Sequence, residues 1–335
     1  MNNYSVLPEW PAAYPETGAR AILKQENSDF IVTELPLTLP SGEGEHVWLE
    51  VEKNGSNTAY VAAKIAELAG VRDMDVGFAG LKDRYAITTQ WFSIYLPRVE
   101  APDFSQLDNE EFKILKQTRH VKKLRRGDLV GNHFKILLRD FHGDKEKVEA
   151  NLKAVVESGV PNYFGPQRFG REGDNVEQGR MMLNREIRVR NTKRKGLYLS
   201  SVRSFIFNEV MAERIRRGLW GQSLVGDIND DQGMPTGPLW GRGRLATTDD
   251  ALALETAMVE PHQTLCDGLE HSGLSQERRA LAAKPVGMKW EWLDESQLLL
   301  TFSLPAGYYA TSLIRELMQT EEPSRDTPDD AITVE

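Results

Sequence analysis

The stretch Gly80-Leu-Lys-Asp-Arg-Tyr-Ala-Ile-Thr-Thr-Gln90 runs directly into the apolar segment Trp91-Phe-Ser-Ile-Tyr-Leu96. Gly77 and Gly80 on one side and a strand-length apolar run on the other describe a loop that presents a carboxylate, Asp83, at the edge of a sheet. A carboxylate flanked by the cations Lys82 and Arg84 serves as a nucleophile or as a base. Taken alone, the same Lys-Asp-Arg tripeptide reads as a turn or capping aspartate in an ion pair. Local spacing by itself does not separate the two readings.

Outward from this stretch, residues 21–24, 30–34, 47–51, 112–116, 134–138, 290–293 and 298–302 alternate or run apolar at strand length. Between them, Asn57 or Thr58 caps a helix whose apolar positions Val61, Ile65 and Leu68 share a face, and Gly70 is placed to end it. A second helix is expected over 144–157 from Val148, Leu152, Val155 and Val156. Strands and helices do not alternate regularly, so the fold class is α+β rather than doubly wound. From about Asn162 the texture turns glycine-rich and then helical, notably over 201–217, and residues 221–244 read as extended loop. Strand periodicity returns only near Met288. A mainly helical insertion is therefore expected at 157–285, interrupting a sheet domain made of 1–156 and 286–335. Length leaves one large domain or two ordinary ones open, and two is the reading adopted.

The net charge of −9 argues against a polyanion as partner, but its distribution reverses that reading. Seven cations lie between Lys113 and Arg126 with no acid among them, and Arg185, Arg188, Arg190, Lys193, Arg194 and Lys195 surround only Glu186. Each run reads either as a solvated face or as an RNA-contacting patch. Much of the compensating acid sits in residues 321–330, whose composition reads as disordered. The single cysteine, Cys266, excludes an internal disulfide, and the six scattered histidines show no metal-ligand spacing, so no metal is expected. The N-terminal residues lack the features of a secretion signal, and no apolar run reaches membrane-span length. The chain is expected to be soluble, unexported, cytoplasmic and monomeric.

Gly80, Lys82, Asp83, Ala86, Thr88 and Gln90 together resemble the signature of the TruD family of tRNA pseudouridine synthases. Three further segments resemble that family in the same order. They are Phe30-Ile-Val-Thr-Glu34 after Lys24, Asn162-Tyr-Phe-Gly-Pro-Gln-Arg-Phe-Gly170, and Leu304-Pro-Ala-Gly-Tyr-Tyr-Ala-Thr-Ser-Leu-Ile-Arg-Glu-Leu317. The resemblance spans nearly the whole chain. It implies a mixed or antiparallel-sheet pseudouridine synthase catalytic domain interrupted by a TRUD insertion domain that contributes to tRNA binding. It further implies isomerisation of uridine 13 in the D-arm of tRNA with Asp83 as nucleophile. Phe30, Asn132, Tyr309, Lys24 and Lys82 fall at substrate-side positions. Tyr309 departs from the phenylalanine common in the family. On the residues alone, Phe30 also reads as core, Asn132 as a turn residue, and Lys24 and Glu34 as a strand-end ion pair. Gln167 and Arg168 read as RNA contacts or as supports of the junction.

These expectations fit what the chemistry requires. Moving a uracil from N1 to C5 on its ribose needs a nucleophile, a slot for the loose base and an unstacked nucleotide, which aromatic faces supply. Hydrolytic glycosidases commonly pair two carboxylates to manage water and leaving group, whereas an isomerisation activates no water and one carboxylate suffices. No cofactor is expected. Gly165 and Gly170 have phosphate-loop spacing, but Arg171-Glu172 stands where Lys-Ser/Thr is required, and no GxGxxG follows a strand. Two other classes remain: a non-catalytic RNA-binding protein, and a glycoside-type hydrolase, for which no convincing second acid is in the sequence.

Overall fold

Asn57 starts the first helix in the way its side chain allows. It accepts a hydrogen bond from the Tyr60 amide at 2.8 Å, satisfying an N–H that the helix cannot. Helix α1 (Thr58–Ala69) ends at Gly70, whose φ of 68° is costly for any residue with a Cβ. Its face of Val61, Ala62, Ile65 and Ala66 buries against Val47, Leu49, Val51, Phe92 and Ile94. Ile65 is fully buried, a burial that stabilises by about 2–3 kcal/mol.

The computed structural model describes residues 4–170 and 173–325. Arg171 and Glu172, which displace the phosphate-loop residues, and the acidic tail beyond 325 lie outside the described residues. In chain order the elements are β1 (Arg20–Ile22), β2 (Phe30–Pro36), β3 (His46–Asn54), α1, β4 (Val76–Phe78), β5 (Ile87–Tyr95), β6 (Phe112–His120), β7 (Leu129–His142) and α2 (Lys145–Ser158). Then follow β8 (Val160–Pro161), α3 (Asn175–Leu183), α4 (Thr192–Arg216), β9 (Thr236–Leu239), α5 (Asp249–Val259), α6 (Gln263–Glu270), β10 (Glu277–Ala280), β11 (Ala282–Ala283), β12 (Val286–Trp292), β13 (Leu298–Pro305), α7 (Ala310–Arg315) and β14 (Gln319–Glu321). Among the described residues, no helix is long and apolar enough to cross a membrane.

Contacts divide the chain into two units. One is built on a ten-stranded mixed sheet whose main path is β12-β13-β7-β2-β5-β3-β6. Strands β2 and β5 pair in parallel, Ile31 with Ile87 and Thr33 with Thr89. Their neighbours β7 and β3 run antiparallel to them. This is the α+β, mixed-sheet architecture expected. β6 ends the path, and its exposed Lys113 and Lys116 guard an edge that would otherwise recruit another strand. Part of the first basic run is structural: Arg119 donates to the carbonyls of Gly44, Leu96 and Val99, and Lys123 to that of Met74.

The other unit comprises residues up to Thr17, Lys145–Lys284 and Tyr308–Leu317. Its axis is α4, which is buried on most sides: Leu199, Val202, Phe205, Ile206, Phe207 and Met211 all belong to one core with Tyr163, Phe164 and Phe169. Beyond the expected interval of 157–285, this unit takes in the N-terminal segment, α2 and α7. The reason is a set of buried hydrogen bonds. Glu316 accepts from the Ala13 amide at 2.8 Å, and Asn151 donates to the carbonyls of Pro15 and Glu316 at 3.0 and 2.9 Å. Burial raises the Glu316 carboxyl above its usual range, and the Ala13 and Tyr14 amides oppose that rise.

Two local expectations need correction. Strand structure does not wait for Met288: β9 pairs with β10 and β8 with β11 inside the helical unit. These two- to four-residue strands are too short to carry a periodicity. The acidic tail is also not structureless from its start, since Glu321 lies in β14, pairing in parallel with β1. Arg325 donates to the Lys24 carbonyl and stacks over Tyr85, 4.4 Å from its ring centre. Residues 326–330 lie outside the described residues.

Candidate active site

Strand β4 pairs antiparallel with β5, Phe78 opposite Phe92, so residues 79–86 form the loop of a wide hairpin. Gly77 permits the close approach behind it, because a Cβ there would fall 2.2 Å from the Leu124 carbonyl oxygen. The loop is pinned at several points. The Lys82 amide donates to Thr58 Oγ1 at 3.0 Å, Thr58 donates to Gln90 at 2.9 Å, and Gln90 donates back to the Gly80 carbonyl at 3.1 Å. Thr88 and Gln90, quoted in the motif for another reason, are thus fully buried beneath the loop.

Asp83 sits on this loop with a side chain 35% exposed. Its Oδ1 accepts the Tyr85 amide at 3.0 Å, and its Oδ2 lies 2.5 Å from Lys24 Nζ. Both oxygens are therefore oriented while one face of the carboxylate stays open. Lys24 is buried to 8% of its side chain and also lies 3.2 Å from Glu322 and 4.8 Å from the centre of the Phe30 ring. Its φ of 56° places it in the left-handed region, a strain of about 1 kcal/mol for a residue with a Cβ.

Phe30, Val32 and Glu34 alternate onto one face of β2, opposite Ile136, Phe134 and Asn132 of β7. Phe30 is 5% exposed and meets Phe134 edge-on, with ring centres 6.2 Å apart. Four residues along, Glu34 receives Lys82 Nζ at 2.6 Å and the Trp91 amide at 3.2 Å. The Lys82 and Glu34 side chains are only 5% and 1% exposed, so Lys82 is a buried tie for the loop. Beside Glu34, Asn132 carries a buried carbonyl oxygen with no hydrogen-bond partner among the described residues. Such an atom costs about 1–3 kcal/mol unless something pairs with it.

The fold thus brings Lys24, Phe30, Glu34, Lys82 and Asp83 into one connected set, with Asn132 paired opposite Glu34. Tyr309 belongs to the helical unit. There it precedes α7, and its hydroxyl, the departure from the family pattern, accepts from Arg168 Nη2 at 3.0 Å. Arg168 also reaches Ser200 at 3.0 Å. Sequence reading missed Lys53, which is completely buried on β3 opposite Thr88. Its ammonium donates to the Ser56 carbonyl at 2.9 Å. Burial, aided by Lys82 and opposed by Asp83, lowers its pKa from 10.5 to about 8. Nothing in its neighbours Glu52 and Asn54 marks it in the sequence.

The fold is that of a solved structure, the putative tRNA pseudouridine synthase D (TruD) from Methanosarcina mazei, matched at a TM-score of 0.68 over 94% of this chain and 96% of that one, with 22% identity. The family model described as tRNA pseudouridine synthase D (TruD) matches residues 12–190. The tRNA pseudouridine synthase D of Hydrogenovibrio crunogenus is 41% identical, covering 96% of this chain and 99% of the relative. That of Aeromonas hydrophila is 44% identical over 91% and 92%. The chain belongs to the tRNA pseudouridine synthase D family.

Proposed function

We propose that this chain isomerises uridine to pseudouridine in tRNA, at position 13 of the D-arm, with Asp83 as the nucleophile acting on a flipped-out nucleotide. Family membership supports the reaction class, and the resemblance of the Gly80–Gln90 motif supports the position and the nucleophile. The observation that carries the assignment of Asp83 is its geometry: an oriented, partly open carboxylate held 2.5 Å from a strained, buried lysine. A carboxylate retained only for a turn needs no such partner.

In the reaction the N1–C1′ bond breaks, a C5–C1′ bond forms and the C5 hydrogen is lost, leaving a proton on N1. Atoms balance without water or cosubstrate, so the reaction calls for no co-reactant, and the reading is of a cytoplasmic monomer that needs no metal or cofactor. Phe30 offers a face for the base, the resemblance gives Tyr309 a substrate-side role, and the unpaired Asn132 oxygen accepts from a substrate N–H or O–H. Lys24 orients Asp83, and Lys82 enters through Glu34 by holding the loop. Catalysis is assigned to the unit built on the large sheet, which carries Asp83, and the insertion 157–285 of the helical unit to tRNA binding.

The test uses tRNA tritiated at uracil C5. Turnover releases label, and Asp83→Asn abolishes release while retaining tRNA binding. Release at the wild-type rate in that variant overturns the nucleophile. Binding without release in the wild-type protein favours an RNA-binding protein instead.

A further inference from the structure

The helical unit contains a cavity of about 620 Å³ between the C-terminal end of α3, residues 184–191, the start of α4 and α6. None of its lining residues belongs to the unit that carries Asp83. Its wall includes Leu183, Ile187, Val189 and Leu199, and its rim Arg185, Arg188 and Lys195. Gly268 of α6 lets the wall close, since a Cβ there would stand 2.7 Å from that of Leu183.

Cations outnumber acids around this cavity, with Arg185, Arg188 and Lys195 lining it against Asp267. Glu186, the lone acid of the run, is held by Arg180 through bonds of 2.6 and 2.9 Å. Asp267, on the wall, receives the Gln263 amide at 2.7 Å. Arg185, Arg188, Arg190, Lys193, Arg194 and Lys195 are all exposed, and none forms an ion pair among the described residues. Three of them occupy the first turn of α4, which contains no acid. Cations at that positive end cost stability unless an anion lies over them. Arg185 adds a second local cost, with a φ of 63° where a helix terminus favours glycine.

We infer that this cavity binds an unstacked nucleotide of the substrate RNA other than the reacting uridine, its base on the apolar wall and its flanking phosphates on the Arg185, Arg188 and Lys195 rim. The inference rests on the proposed RNA substrate. Apolar wall and cationic rim match the two parts of a nucleotide, as a bare phosphate site would not require. Its contribution is grip on the RNA, and so its loss appears in KM.

The experiment measures binding of a full-length tRNA transcript across a salt series, together with steady-state label release, for wild-type protein, the triple variant Arg185→Ala/Arg188→Ala/Lys195→Ala, and Val189→Glu. The triple variant is expected to bind at least about tenfold more weakly, with KM raised in step. Its log-affinity against log-salt slope should fall by about two, the share of three lost phosphate contacts. Val189→Glu, which places a carboxylate on the wall, is expected to weaken binding as well. Wild-type affinity and slope in both variants, beside normal turnover by the wild-type protein, overturn the cavity inference and leave the proposed function standing. A wild-type protein that neither binds tRNA nor releases label overturns both.

Discussion

Lys24 and Asp83 are 59 residues apart in the chain and 2.5 Å apart in the fold. The parallel pairing of β2 with β5 brings them together, because each residue lies just before its strand and parallel strands begin at the same end of a sheet. Lys24 is buried but Asp83 stays 35% exposed, so water can solvate the carboxylate if the lysine is lost, and the pair serves orientation more than stability. Lys24→Met is expected to lower label release by about 100-fold with little change in melting temperature. A variant with wild-type turnover shows that Asp83 is positioned without it.

Glu34 and Lys82 make the opposite kind of pair, buried and structural. Removing one partner strands the other charge in the interior, at a cost of about 3–5 kcal/mol. Glu34→Gln should therefore lower the denaturant midpoint markedly, and Glu34→Gln/Lys82→Met should recover part of the loss. A single variant as stable as wild type contradicts the burial of this pair.

Lys53 sets a pH dependence of stability. Its folded-state pKa is about 8 against 10.5, so between those values the unfolded chain binds more protons and stability rises with pH. Below about 8 the full penalty of burying the ammonium applies, about 3 kcal/mol. The rise ends near pH 10, because burial raises the Tyr163 and Tyr14 hydroxyls and their ionisation then favours unfolding. Unfolding free energies of wild type and Lys53→Met at neutral pH and near pH 9.5 check this. The variant is expected to be more stable at neutral pH and to lose the rise.

Tyr309→Phe keeps the ring and removes only the acceptor for Arg168. A loss of about 1–2 kcal/mol in stability with turnover within a few-fold of wild type is expected, because the hydroxyl is already engaged within its own unit. A large fall in turnover with unchanged stability would make the hydroxyl a substrate contact.

Much of this protein was legible in its sequence where the causes are local. Asn57 and Gly70 bound α1 because a capping side chain and a left-handed glycine act within one turn. Apolar runs located eight of the ten strands of the large sheet, several of which extend further than their apolar part, but not β4 or β14. Helix α4 begins at Thr192 rather than near 201, since its polar first turns have no apolar period and are set by the Asn191 cap. The Gly80–Gln90 motif, with its companions, was enough to single out Asp83.

Tertiary structure decided what each of those residues touches. Lys24 and Lys82 look alike in sequence, yet one meets the open Asp83 carboxylate and the other is sealed against Glu34. Lys53 has no local mark, and only the pairing of β3 with both β5 and β6 buries it. The physical reason is common to all three: the charge of a side chain is written in the chain, but its solvation and its partner depend on segments that only the sheet brings together.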